Sequence, residues 1–214
     1  MKNTILYITV ICLFLISCNE KKPETVIKSD SVENMTIKID TTEIIKKELK
    51  TANGKLFTII ESKPTYSMSN YLITGAGFEN SEDTIKFYNM NPMTATLLSD
   101  INKDGFDELY IITKTTGDER FMDLMAFTSG KENNFKEIIV EPVEPEDVNN
   151  DKMFDGYMGH DSIYIDGSGI IREFPVYPSS TYEKDKDQAR RKIIYNLYPE
   201  GDNFKLIATD YKDI

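Results

Sequence analysis

Tryptophan is absent from the 214 residues, histidine occurs once, at His160, and cysteine occurs only as Cys12 and Cys18. These shortages remove whole classes of chemistry. Thiolate zinc sites need several cysteines, and imidazole sites need more than one histidine. Both cysteines lie within the first eighteen residues, so the rest of the chain is expected to fold without a disulfide. No Gly-x-Ser-x-Gly elbow occurs, and no motif gives His160 a nucleophile to activate, so the reading is a protein that is not an enzyme and has no catalytic residues. Basic charge is scarce as well: 25 Lys and Arg stand against 36 Asp and Glu, a formal charge of −11. That balance gives phosphate contacts no basic face, which argues against nucleic acid and favours cationic partners such as basic proteins or metal ions.

Long apolar runs are equally scarce, with one exception at the start. Lys2 precedes a stretch from Ile5 to Ile16 broken only by Thr9, and Leu15-Ile16-Ser17-Cys18 follows. The run is short for a membrane span, and a small residue before Cys resembles the lipobox of bacterial lipoproteins. Residues 1–17 therefore read as a signal peptide, with Cys18 as the acylated first residue of the mature chain. Residues 18–43 are polar, carry Lys21-Lys22-Pro23-Glu24 and show no hydrophobic period, as expected of a flexible tether. The expected location is the cell envelope, in the outer membrane or periplasm, because Asn19 is not the Asp linked to inner-membrane retention. The membrane partner is then the lipid anchor alone.

Residues 44–214 are long enough for one domain, with enough apolar content for a core. Ile44 to Leu49 reads equally as a helical turn or a first strand. Asn53-Gly54 has the composition of a type I′ turn. Short apolar runs then recur between turn residues: Leu56–Ile60, Tyr71–Thr74, Thr84–Tyr88, Thr96–Leu98, Leu109–Thr113, Met122–Phe127, Ile138–Val140, Ser162–Ile165, Ile170–Phe174, Lys192–Tyr198 and Phe204–Ala208. The 12 tyrosines and 11 phenylalanines mostly alternate with polar neighbours, as on half-buried antiparallel strands. This predicts an all-β fold, an antiparallel β-sandwich or flattened barrel of roughly nine to eleven strands.

The densest local signal is Asp100-Ile101-Asn102-Lys103-Asp104-Gly105-Phe106-Asp107-Glu108, which runs directly into Leu109-Tyr110-Ile111-Ile112. Asp100, Asn102 and Asp104 place hard oxygen ligands at alternate positions around a turn that Gly105 permits. The twelfth position, where an EF-hand needs Glu, is Ile111, so an EF-hand is excluded. A strand-loop-strand calcium site closed by Asp107 or Glu108 is one reading, with Ca²⁺ as the only cofactor suggested. The other is a hairpin with Lys103-Asp104-Gly105 at its tip and the acids in solvent.

A second stretch, Gly156-Tyr157-Met158-Gly159-His160-Asp161, offers an aromatic ring, a thioether and an imidazole between glycines that let backbone come close to a partner. It suits a recognition pocket, or equally an edge of the core with His160 and Asp161 bonded to each other. This stretch, together with Leu98 to Leu109 and with Arg172-Glu173-Phe174-Pro175-Val176-Tyr177, resembles the periplasmic and surface-bound inhibitors of invertebrate-type lysozyme in order and approximate spacing. Lys192-Ile193-Ile194-Tyr195-Asn196-Leu197 supplies the closing strand, and the resemblance covers about Ile59 to Ala208.

The resemblance implies an all-β inhibitor that inserts one loop into the active-site cleft of a lysozyme-like muramidase and receives a loop of the enzyme in a pocket. The inserted loop would carry Thr116, Gly117, Arg120 and Phe121, and the pocket Tyr157, Met158, Gly159, His160, Asp161, Arg172 and Tyr177. Family members carry Ser-Gly-x-x-Tyr in the loop; this chain has Thr116-Gly117-Asp118-Glu119-Arg120, with Phe121 one place later. Asp118 and Glu119 would meet a cleft that holds two carboxylates of its own, and Arg120 would offset them. The alternative is a calcium-stabilised envelope module of the same fold with another protein or glycan ligand. Pairing of the domain with itself, as a homodimer, is left open.

Overall fold

The computed structural model describes residues 42–79, 84–129, 135–144, 147–148, 153–167, 169–177 and 189–214. The expected signal peptide, Cys18 and residues 19–41 of the expected tether lie outside the described residues, whereas Glu43, placed at the end of the tether, begins the first strand. The described chain is all β, with twelve strands and no helix. In order they are β1 (Glu43–Lys50), β2 (Leu56–Thr65), β3 (Met68–Ala76), β4 (Thr84–Met90), β5 (Met93–Ser99), β6 (Glu108–Lys114), β7 (Met122–Thr128), β8 (Lys136–Val140), β9 (Ser162–Asp166), β10 (Gly169–Pro175), β11 (Arg190–Glu200) and β12 (Asn203–Asp213). Twelve exceeds the expected nine to eleven because Ile44 to Leu49 is a strand, paired along its length with β2.

Two sheets result. The first has the order β1-β2-β3-β4; the second has the order β5-β6-β7-β8-β12-β11-β10-β9 and curls into a nearly closed barrel. Every pairing is antiparallel except that of β8 with β12, whose register is Lys205 with Ile139 and Leu206 with Val140. The exposed edge strand β1 carries Lys46, Lys47 and Lys50, charges that discourage edge-to-edge pairing. The β1–β2 connection is not the type I′ turn expected from Asn53-Gly54. That turn needs positive φ at both central residues, and here Gly54 is left-handed while Asn53 is not. Thr51 N–H donates to Lys55 O at 2.9 Å, closing a three-residue loop instead.

β6 explains the layering. It is buried on both faces, and period two divides its residues between two cores. Leu109 and Ile111 pack with Phe57, Ile59, Tyr71, Ile73 and Phe127 against the first sheet. Tyr110 and Ile112 pack with Ile170, Phe174, Ile193, Tyr195 and Leu206 inside the curled sheet. Phe127 joins the ring cluster of the first core, its centroid 5.9 Å from that of Phe135. Each fully buried Phe or Ile contributes about 1.5–3 kcal/mol.

The chain passes from one sheet to the other at Asn91-Pro92, and a buried carboxylate fixes the crossing. Glu61 Oε1 accepts from Ser69 Oγ at 2.7 Å, Met93 N–H at 2.9 Å and Tyr71 Oη at 3.2 Å. Tyr71 Oη also lies 2.7 Å from Asn91 O, and Lys114 N–H donates to Pro92 O at 3.0 Å. The crossing is thereby tied to the end of β6, next to the loop that follows it.

Candidate functional site

β6 and β7 pair as far as Lys114 with Met122, and the seven residues between them form the loop. Thr115 N–H donates to Phe121 O at 2.9 Å and closes its base, while Thr116 to Arg120 are all exposed. The expected inhibitory residues Thr116, Gly117 and Arg120 are therefore at the tip. Phe121 is at the base, its ring edge-on to Tyr157 at 5.6 Å.

What holds this loop is the segment expected to form a separate pocket. His160 N–H donates to Glu119 O at 2.7 Å. Gly159, with φ of 80°, passes so close to Glu119 that a Cβ on it would lie 2.1 Å from the carbonyl oxygen. Only glycine meets both demands. Arg120 and His160, one on each segment, also have positive φ, at 52° and 53°. Non-glycine residues are held in that region only where surrounding contacts enforce it.

Asp161 reaches both the loop base and the Tyr157 ring. Its Oδ1 accepts from Met122 N–H at 3.1 Å and its Oδ2 from Tyr157 Oη at 3.0 Å. Arg172 Nε lies 3.5 Å from Oδ2, and Arg172 Nη2 donates to Met122 O at 3.1 Å. The guanidinium lies between the rings of Tyr157 and Tyr195, at 5.7 and 5.8 Å from their centroids. Asp161 and Arg172 are both buried. Burial pushes the Asp161 carboxyl above its ordinary range, with Arg172 and the Tyr157 hydroxyl pulling the other way. Burial also raises the Tyr157 phenol. The network fastens both backbone groups of Met122, the first residue of β7, to β10 and to the Tyr157 segment.

Beside the loop lies a groove of about 570 Å³. Phe121, Met122, Leu124, Tyr157, Met158 and Arg172 form one part of its wall, and Val140, Pro142, Val143 and Val148 another. Of the seven expected pocket residues, Tyr157, Met158 and Arg172 line it, whereas Gly159, His160, Asp161 and Tyr177 do not. Tyr177 is a buried support: its N–H donates to Gly156 O at 2.8 Å, beside a bridge between Tyr157 and Val176. The wall formed by Val140, Pro142, Val143 and Val148 was not legible in the sequence. A second hollow of about 570 Å³ shares Glu141 and Pro142 with the first and is lined also by Phe154, Tyr195 and Tyr211.

The acidic loop lies between β5 and β6. Asp104 N–H donates to Asp100 Oδ1 at 3.0 Å, Gly105 N–H to Asp100 Oδ2 at 2.8 Å, and Phe106 N–H to Asp104 Oδ1 at 3.0 Å. Asn102 Oδ1 accepts from Asp104 N–H at 3.1 Å. Lys103 and Gly105 both have positive φ at the tip. Oxygens of Asp100, Asp104 and Glu108 lie within 4.8 Å of one another. Asp107 is not in this group: its Oδ2 accepts from Ala52 N–H at 2.5 Å, and Asn53 Nδ2 donates to Gly105 O at 2.6 Å, tying the loop to the β1–β2 turn. Glu108 is wholly buried. Its Oε2 accepts from Ile101 N–H at 3.2 Å and Tyr110 Oη at 3.4 Å. Its Oε1 has no hydrogen-bond partner among the described residues. Burial, reinforced by the charges of Asp104 and Asp100, pushes this carboxyl up to about 8.

Comparison with known protein families, characterised proteins and solved structures finds no match to this chain.

Proposed function

We propose that the chain is a lipid-anchored envelope protein that binds a lysozyme-like muramidase and inhibits it by placing the β6–β7 loop in the enzyme's active-site cleft. One observation carries this reading. The two stretches named by the lysozyme-inhibitor resemblance, some forty residues apart in sequence, meet as one exposed loop on a clamped base with an apolar groove beside it. A protruding loop with a fixed base loses little conformational freedom on binding, which favours tight association. The adjoining groove supplies Phe121, Met158 and Tyr157, the aromatic and thioether surface that anchors protein interfaces. Within a cleft that carries two carboxylates, Arg120 supplies the attractive charge and Thr116 a hydroxyl donor. Cys18 supplies the anchor, and the protein acts by occupancy and not by turnover.

The test is titration of the purified protein against invertebrate-type, chicken-type and goose-type lysozymes, followed by clearing of bacterial cell walls. Saturable inhibition of the invertebrate type at a 1:1 ratio is the expected result. Unchanged clearing by all three at micromolar excess would refute the inhibitor reading and leave the loop and groove as a surface for another ligand.

A further inference from the structure

We propose that Asp100, Asn102, Asp104 and Glu108 form a calcium site that joins the two sheets at the start of β6. The alternate spacing of the first three residues gathers hard oxygens on the inside of a turn, and Glu108 closes the group from the first position of the strand. The separations fit the ion. Calcium takes oxygens at about 2.3–2.6 Å, so two ligands on opposite sides of it lie about 4.6–5.2 Å apart. The carboxylate oxygens here lie within 4.8 Å of one another.

The second observation concerns the one buried member of the cluster. Glu108 is wholly buried, yet its Oε1 receives no hydrogen bond among the described residues. Leaving a buried carboxylate oxygen without a partner is costly, and a second and third acid beside it increase that cost. A divalent cation removes both penalties at once. A protonated Glu108 would remove only the charge. The hairpin-tip reading accounts for the exposed positions Lys103 and Gly105 and for the bonds to Glu108 Oε2, but it leaves the buried Oε1 without a partner.

The position indicates what the ion would do. Gly105 O and Asp107 are already bonded to Asn53 and Ala52 of the β1–β2 turn, and Ile101 belongs to the inner core. An ion held by Asp100, Asp104 and Glu108 would lock this junction, so its effect is on stability and not on recognition. The inference stands whether or not the chain binds a lysozyme.

The experiment is calorimetric titration of the full chain with calcium chloride after dialysis against chelator, with thermal melting in parallel. The expected result is one saturable site, with a melting temperature about 5–10 °C higher at a hundredfold excess of calcium over the Kd. Glu108→Gln and the half-exposed Asp104→Asn should each weaken binding at least tenfold, and Asp166→Asn, on the exposed end of β9, should leave it unchanged. Absence of a saturable heat, or equal affinity in the parent, Glu108→Gln and Asp104→Asn proteins, would overturn the proposal.

Discussion

Gly159 and Glu119 come into contact through backbone alone, the α-carbon of one lying against the carbonyl of the other. No side chain fits between them, so the β6–β7 loop and the Tyr157 segment behave as one piece. Gly159→Ala should therefore separate them. It combines an L-residue at φ of 80° with a steric clash, together about 2–4 kcal/mol. The expected outcome is a lower melting temperature and fast amide exchange at His160 and Met122, with amides of β2 and β3 unchanged.

Arg172 is the cation of a buried pair, and removing it leaves Asp161 with its charge uncompensated. Arg172→Ala should cost about 3–5 kcal/mol. A denaturant titration of Arg172→Ala, Asp161→Asn and the double variant checks this. The double variant should be more stable than the sum of the two losses predicts, because the coupling between the partners is removed only once.

Met158 lines the groove, and its packing can be trimmed with less damage than that of the buried Tyr157. Met158→Ala should weaken muramidase inhibition by more than tenfold while moving the melting temperature by less than about 3 °C. An inhibition constant equal to that of the parent would remove the groove from the interface.

Arg191 Nε and Nη2 donate to both oxygens of Asp213, at 2.5 and 3.0 Å, and Arg191 Nη1 donates to Met153 O at 3.2 Å in the approach to Tyr157. Hydrogen bonding from Arg191, against mild desolvation, holds the Asp213 carboxyl below the ordinary value of 3.8. A depressed carboxyl contributes stability above its unfolded pKa and loses it as pH falls through the folded one. Because Asp213 is more than half exposed, solvent screening keeps the contribution below about 1 kcal/mol. Carbon-detected titration should place its midpoint below 3.8, and Arg191→Gln should return it to that value.

Cys18→Ser should abolish acylation, moving the protein from the detergent phase to the aqueous phase on phase separation. Equal partitioning of the two proteins would overturn the lipid anchor.

The strands were legible because period-two alternation and turn residues report sheet burial directly, and eleven apolar runs became eleven strands. Ile44 to Leu49 was ambiguous because Ile44 faces solvent and Lys47 lies on the half-buried face of β1, so residue type does not follow the alternating burial. The choice of Glu108 over Asp107 could have been made from the same rule. Glu108 is in phase with Tyr110 and Ile112, which point to the inner core, whereas Asp107 precedes the strand. The Gly156 to Asp161 stretch stands out by its composition, but the division of labour within it is not visible there. Gly159 and Asp161 serve the loop that precedes them, a relation that exists only after β7 and β10 have been brought together. The Val140 to Val148 wall follows no period, so composition alone could not assign it a side of the groove.

Strand order in the curled sheet has a consequence for how the chain acquires its shape. β12 lies between β8 and β11, so among the described residues it alone joins β5 to β8 with β9 to β11 by strand pairing. Until residues 203–213 leave the ribosome, the sheet exists at best as two halves with no strand pairing between them, each with part of the inner core uncovered. Closure of the curled sheet is therefore expected to wait for β12. A chain stalled before Asn203 should remain sensitive to protease along Ile163 to Leu197, however long it waits.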